Sequence, residues 1–168
     1  MSYVGQSIKR FEDPRLLTGQ GTFVDDLHVP DMLYAVVLRS VHAHAHLRRL
    51  DPAAARRLPG VIQVLTAQDL ADKVKDIPPR PTPELEGVAV PEHPVLAREK
   101  VCYVGQPVAI AVAHDRYRAR DALDHIEVDY QPLPPIMDTW EAAQEGSIPI
   151  HEALSNNVAM RIREGRGD

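Results

Sequence analysis

Prolines set the outer limits on what this chain can fold into. Fifteen of its 168 residues are proline, about 9% against an ordinary share of roughly 5%. Six of them (Pro78, Pro79, Pro81, Pro83, Pro91 and Pro94) crowd into Ile77–Pro94. Proline lacks the amide hydrogen that a helix needs, and its ring clashes with the preceding turn. The stretch therefore reads as an irregular excursion over the surface, joining short elements on either side. Aromatic residues are scarce at 5%, so the core has to be built from small aliphatic side chains.

Along the chain, Gln6–Pro30 shows no sustained period of 2 or 3.6 and reads as an extended arm with turns, anchored by Leu16, Leu17 and Phe23. Met32–Leu38 is an apolar run of the length and β-branching of a strand buried on both faces, which places it centrally in a sheet. Asp51 as N-cap, Pro52 at the first helical position and the alanines after it start a helix of about two turns, stopped by Pro59-Gly60. Val61–Leu65 is a strand. Thr66-Ala-Gln-Asp69 is a capping box with Asp in the usual Glu position, opening a helix through about Val74. Beyond the excursion, Val101–Val104 is extended, Gly105-Gln106-Pro107 turns, and Val108–Ala113 is a second buried strand. Arg116–His125 has helical spacing, with Ala119, Ala122 and Leu123 on one face, and Ile126–Tyr130 alternates as a half-buried strand. A short helix at Trp140–Gln144 precedes a polar ending with a turn at Ser155-Asn156-Asn157 and mobile final residues Arg163–Asp168.

The domain plan is thus an arm over 1–30, a core over 31–145 and a polar tail over 146–168. A net charge of −5 speaks against a general nucleic-acid binder, which is expected to be basic. No apolar stretch approaches the roughly 20 residues of a membrane span and no signal core is present, which places the chain in the cytoplasm. The single cysteine, Cys102, excludes an internal disulfide and any cysteine-only metal cage, and its strand-like flanks mark it as a buried, inert thiol rather than a reactive one.

Three histidines, His42, His44 and His46, alternate. On one straight strand their imidazoles would share a face and could converge on zinc or iron. The other reading is a turn or edge strand whose histidines pair with backbone carbonyls or neighbouring carboxylates. Residues two apart on a strand are roughly 7 Å apart, too far for all three to reach one metal without a bend, so the second reading is preferred. Gly19 and Gly21 lack the third glycine of a dinucleotide fingerprint, and no Gly-Lys-Ser/Thr phosphate loop occurs. His151-Glu152 has Ser155 where a zinc-protease helix places its second histidine, and no Gly-x-Ser-x-Gly elbow exists. The paired acids Glu12-Asp13 and Asp25-Asp26 sit in a Pro/Gly-rich arm where such residues cap turns. Arg166-Gly167-Asp168 matches an adhesion tripeptide by chance. The residues themselves nominate no catalytic, cofactor-binding or metal-binding position.

Taken together, Arg10-Phe-Glu-Asp-Pro-Arg-Leu-Leu-Thr-Gly-Gln-Gly-Thr-Phe-Val-Asp-Asp26, Leu38-Arg-Ser-Val-His-Ala-His-Ala45, Leu58-Pro-Gly-Val61, Pro94-Val-Leu-Ala97 and Val101-Cys-Tyr-Val-Gly-Gln-Pro-Val-Ala109 resemble, in order, the start of the molybdenum hydroxylase large chain. That family includes xanthine dehydrogenase, aldehyde oxidase and aerobic carbon monoxide dehydrogenase, and the bacterial carbon monoxide dehydrogenase-like branch is the nearest. The resemblance covers residues 3 to about 160. Ala119–Pro134 also follows the family's Ala-rich helix, Val-x-Val-x-Tyr strand and Leu-Pro turn, with Ile126 opening the strand. Many relatives carry proline where Val41 stands, a change in turn stiffness rather than chemistry.

The resemblance implies an α+β fold, the α/β-hammerhead, with a mixed sheet, short helices and proline-rich connections, ahead of the molybdopterin-binding domains. It implies molybdenum-molybdopterin, [2Fe–2S] clusters and FAD in the complete complex, none of them in this chain, because the family's cofactor motifs lie downstream of this region. Gln106 belongs to the Gly-Gln-Pro turn and is distinct from the family's cofactor glutamine. Two accounts follow. In one, the chain is an inactive component of a hydroxylase, a scaffold whose partners are the remainder of the large chain or a separate molybdopterin-binding chain, with iron–sulfur and flavin subunits. In the other it is a free-standing module that binds a protein or small ligand without redox chemistry. The polar ending, where family chains run on into the next domain, favours the first and predicts an uncovered apolar patch.

Overall fold

The computed structural model describes residues 3–78, 88, 91–160, 165 and 167. The chain forms two compact units, Met1–Met32 and Leu33–Asp168. In the first, Asp13 and Pro14 start a one-turn helix, α1 (Asp13–Leu17), and Arg10 closes on Asp13 at 2.9 Å. A 3-10 turn at Val24–Asp26 is held by the Asp26 carboxylate, which accepts from the Phe23 amide. The acids of this segment therefore serve turns and local ion pairs. Leu17 and Phe23 are not anchors, however, because both are exposed. A single helical turn cannot hide two successive leucines. Leu16 packs locally, its Cδ2 lying 2.8 Å from where a Cβ on Gly21 would stand.

Among the described residues the second unit holds two three-stranded sheets with antiparallel pairings. The first has the order β1 (Tyr34–Arg39), β5 (Pro107–Ala113), β3 (Val61–Thr66). The second has the order β4 (Lys100–Val101), β2 (Ala45–Asp51), β6 (Glu127–Pro132). The central strand of the first sheet is β5, where Val108, Ala109, Ala111 and Ala113 are fully buried. The expected central strand, β1, is an edge, since an apolar run reports burial but not which neighbours a strand will find. The histidine segment also differs from expectation: it leads into β2, which is the middle of the second sheet rather than a turn or edge.

Helix α3 (Arg116–Asp124) follows its sequence signals closely. The Asp115 carboxylate accepts from the Arg118 amide at 2.8 Å, and Ala119, Ala122 and Leu123 are buried. Ala122 and Leu123 pack with Ala109, Ala111 and Val64 of the first sheet and with Ala55 and Ile126, forming one core cluster. A second cluster unites Ala45, Val101, Val108 and Ala97, and Leu50 borders both. The helix expected after Asp51 is only a 3-10 turn, Ala55–Arg57. Asp51 instead ends β2, although its carboxylate still accepts from the Ala53 amide at 2.9 Å. Thr66 and Asp69 form the capping box of α2 (Ala67–Leu70), which stops a turn before Val74. Asp138 caps α4 (Thr139–Ala143), accepting from the Trp140 and Glu141 amides.

The proline excursion is pinned at its base, where the Ile77 amide donates to the His93 carbonyl at 2.8 Å. Pro78, Pro91 and Pro94 show no regular structure, whereas Pro79, Pro81 and Pro83 lie outside the described residues. So do Arg166 and Asp168 of the adhesion-like tripeptide and most of the final segment expected to be mobile. Among the described residues no helix is long and apolar enough to cross a membrane.

Gly60, between the 3-10 turn and β3, has φ +82° and sits against Arg118, whose Cδ would lie 2.5 Å from an added Cβ. Gly105 has φ +89° with open space around it. Gly105→Ala is expected to cost about 1–2 kcal/mol for the left-handed backbone alone, and Gly60→Ala more, with Arg118→Ala erasing the difference. Urea unfolding of the four variants checks the order.

Candidate functional site

The polar residues singled out by the sequence gather around β2. In an antiparallel sheet, register partners project to the same face. Ala45 pairs with Val101 and Pro132, and Ala45 and Val101 face the second core cluster. One residue on, His46 pairs with Lys100 and Gln131, so these three line the opposite, polar face. The ladder extends one step before β2, where the Leu133 amide donates to the His44 carbonyl. Alternation puts the His44 side chain on the His46 side.

The three histidines do not converge. His42 lies in the bend before β2 and rests on the Tyr130 ring, centroids 4.9 Å apart. Tyr130 pairs with Leu47 and packs on the apolar cluster, so His42 is turned away from the polar face. His44 is 5% exposed and its Nδ1 lies 2.9 Å from the Pro134 carbonyl. A carbonyl only accepts, so Nδ1 donates, while the buried Nε2 has no hydrogen-bond partner among the described residues. His46 occupies the strand beside Lys100. Among the described residues no group of three or more His, Cys, Asp or Glu side chains could hold a metal ion.

A second set of contacts was not nominated by the sequence. Ser40, 2% exposed, closes the bend: its hydroxyl donates to the His42 carbonyl and accepts from the His42 amide. Its amide donates to the Gln106 carbonyl, while its own carbonyl accepts from the Gly105 amide. The Gln106 side chain is buried too, its Oε1 accepting from the Cys102 amide at 2.7 Å, and Arg39 donates to the Gly105 carbonyl. Ser40 also bonds Tyr130, which opposes the upward push that burial exerts on that phenol's pKa. Two corners far apart in sequence, 39–44 and 102–106, are thereby tied together. Polar residues bracketing apolar strands, at Ser40 and at Gly105-Gln106, are the trace this leaves in the sequence.

The polar face carries Cys102 and Lys100 beneath the segment 147–158. Lys100 Nζ pairs with Glu152 at 3.0 Å, and Cys102 Sγ lies 3.8 Å from the Ile150 carbonyl. Asn157 fixes the segment, accepting from the Ile150 amide and donating to the carbonyls of Ile148 and Ala142. Asn157 was expected only as part of a turn. Between segment and sheet is a cleft of about 330 Å³ lined by Lys100, Cys102, Gln106 and His151, with Glu92 and Arg98 at its edge. Cys102 is half-buried rather than buried. Burial raises its pKa, with Lys100 opposing and Glu152 adding to the shift, so the thiol stays protonated and weakly nucleophilic. His151 is held below its ordinary value by burial, then by Lys100, His93 and His44. Glu152 is held low by its hydrogen bond and charge pairing with Lys100. This is a set of cohesive contacts, with charges that answer one another.

Residues 18–134 match the family description "Aldehyde oxidase and xanthine dehydrogenase, a/b hammerhead domain". The chain is 41% identical over 155 residues to the carbon monoxide dehydrogenase large chain of Afipia carboxidovorans, covering 92% of this chain and 18% of that one. Among solved structures it resembles quinoline 2-oxidoreductase from Pseudomonas putida 86, with TM-score 0.81, 37% identity and coverage of 94% and 20%. It also resembles the Cu,Mo-CO dehydrogenase, with TM-score 0.75, 39% identity and coverage of 93% and 19%. The chain thus spans about a fifth of the length of these relatives.

Two measurements check this account of the site. Gln106→Ala strands the buried Cys102 amide and is expected to cost about 1–3 kcal/mol in urea unfolding. For His151, the folded pKa lies below the ordinary imidazole value of about 6.5, so the unfolded chain takes up the proton first. Stability contributed by the neutral imidazole is present above about pH 6.5 and is lost as pH falls toward the folded value. Unfolding at about pH 7.5 and about pH 5.5 should show that loss, and His151→Gln should reduce it.

Proposed function

The chain belongs to the aldehyde oxidase and xanthine dehydrogenase family as its a/b hammerhead domain, and from this we propose that it is a non-catalytic scaffold within a molybdenum hydroxylase. The observation that carries the reading is how its buried polar side chains are used. The Ser40 and Gln106 side chains bond the backbone of their own corners, at His42 and Cys102, His44 bonds the Pro134 carbonyl, and Thr66 caps a helix through Asp69. A catalytic pocket holds polar groups in reserve for a substrate; here the Ser40, Gln106 and Thr66 side chains and His44 Nδ1 are engaged in joining strands and turns. Its partners are the remainder of a large chain or a separate molybdopterin-binding chain, with iron–sulfur and flavin subunits, in the cytoplasm.

Molybdopterin, [2Fe–2S] clusters and FAD are assigned to those other parts, and the donor set supports the assignment. One cysteine cannot provide the four thiolates of a [2Fe–2S] centre. A phosphate-bearing cofactor calls for free cations or a glycine-rich loop. In the cleft under 147–158, Arg98 is paired with Asp76 and Glu92, and Lys100 with Glu152. The residues present do not fit these groups, and no step of the hydroxylation is derived through them.

Purified alone, the chain is expected to carry no molybdenum by elemental analysis and to reduce no dye with the substrates its relatives' names suggest, carbon monoxide and quinoline. Stoichiometric molybdenum or dye reduction overturns the scaffold reading.

A further inference from the structure

The segment from Pro134 to Ile148 presents a surface that the scaffold contacts leave unused. Met137, just before α4, and Trp140, in its first turn, are each 80% exposed. The helix that carries Trp140 is fixed by its Asp138 cap. Next to them is a cleft of about 300 Å³ whose apolar walls are Pro134, Pro135, Ile136 and Ile148, and whose acidic side is Glu141 and Glu145. Asn157 bonds both Ala142 on α4 and Ile148, so the walls are held apart in advance of any ligand. Among the described residues neither glutamate has an ion-pair partner. Among the described residues the buried Ser147 hydroxyl, which also lines the cleft, has no hydrogen-bond partner.

Exposed tryptophan and methionine near a preformed cleft of mixed apolar and acidic lining are the makings of a binding hot spot. Two unpaired carboxylates on one side set the charge of what fits: aliphatic side chains to fill the cleft, and lysine or arginine alternating with them to meet Glu141 and Glu145. We propose that this cleft docks an apolar, cationic polypeptide segment of a partner subunit, an inference that rests on the scaffold reading for the existence of that subunit but not for the chemistry of the surface.

Trp140 is the chain's only tryptophan, so its fluorescence reports the site directly. The probe is a capped synthetic hexapeptide alternating leucine with lysine, compared with one alternating leucine with glutamate. The expected result is a saturable blue shift with the lysine peptide alone, at least tenfold weaker in Glu141→Gln/Glu145→Gln. The double variant Asp121→Asn/Asp124→Asn removes equal charge from exposed positions on α3 and should bind like the native chain. Equal weakening by both double variants would reduce the effect to attraction by net charge and overturn the proposal, as would absence of a shift. Self-association abolished by Trp140→Ala in sedimentation velocity would make a second copy the occupant and overturn it as well. None of these readouts needs molybdenum or a partner subunit, so failure here leaves the metal and dye test of the scaffold reading intact.

Discussion

The reciprocal bonding between Ser40 and the Gly105-Gln106 turn is the constraint on which the second unit depends. β1 and β5 belong to one sheet, β2 and β4 to the other. Successive strands alternate between the sheets, and two of the crossings, after β1 and before β5, form these corners. Each corner alone is a short polar loop with backbone groups to satisfy. Bonded to each other, Ser40 to Gln106 and Gly105 to Ser40, they satisfy those groups, and Ser40 and Gln106 are buried, where a lost partner costs most. The same corners carry Val108 and Ala97 into the cluster shared with Ala45 and Val101, and the Ala97 amide donates to the Pro107 carbonyl. Hydrogen bonding and apolar packing thus fix a single relation between the two sheets.

The second sheet divides its labour by face. Its apolar side supplies core, and its polar side, with His46, Lys100 and Cys102, is closed by a segment more than forty residues further along the chain. That segment brings its own ion pair and its own asparagine clasp. Such an arrangement is compatible with the low aromatic content, because small aliphatic side chains form thin clusters and leave joints to be closed by hydrogen bonds.

Elements whose determinants are local could be read directly from the residues. The spacing of Ala119, Ala122 and Leu123 located α3, and Thr66 with Asp69 located the start of α2. What depends on distant partners could not. Whether β1 or β5 is central turns on pairing with residues about seventy positions away. β2 alternates histidine and arginine with smaller or apolar residues, so it resembled a turn or edge until 147–158 supplied a cover for its polar side. Asp51 carries a helix-start signal that the sheet overrides by extending β2 through it. The histidine cluster was legible as non-convergent from strand spacing, but Tyr130 and Pro134 as the partners of His42 and His44 were not, being contacts of tertiary origin. The five ordered motifs were legible as a family resemblance, and the comparisons agree with it over residues 18–134.

The bond from the Ile77 amide to the His93 carbonyl has a consequence for how this chain can vary. The clasp fixes where the chain leaves and rejoins the described fold, and the entropy of closing a flexible connection between two such points grows only logarithmically with its length, about 0.6 kcal/mol for each doubling. Insertions and deletions there are cheap, and the clasp keeps them from propagating into α2 or β4. The excursion is therefore where the chain can lengthen or shorten freely while both sheets keep their register.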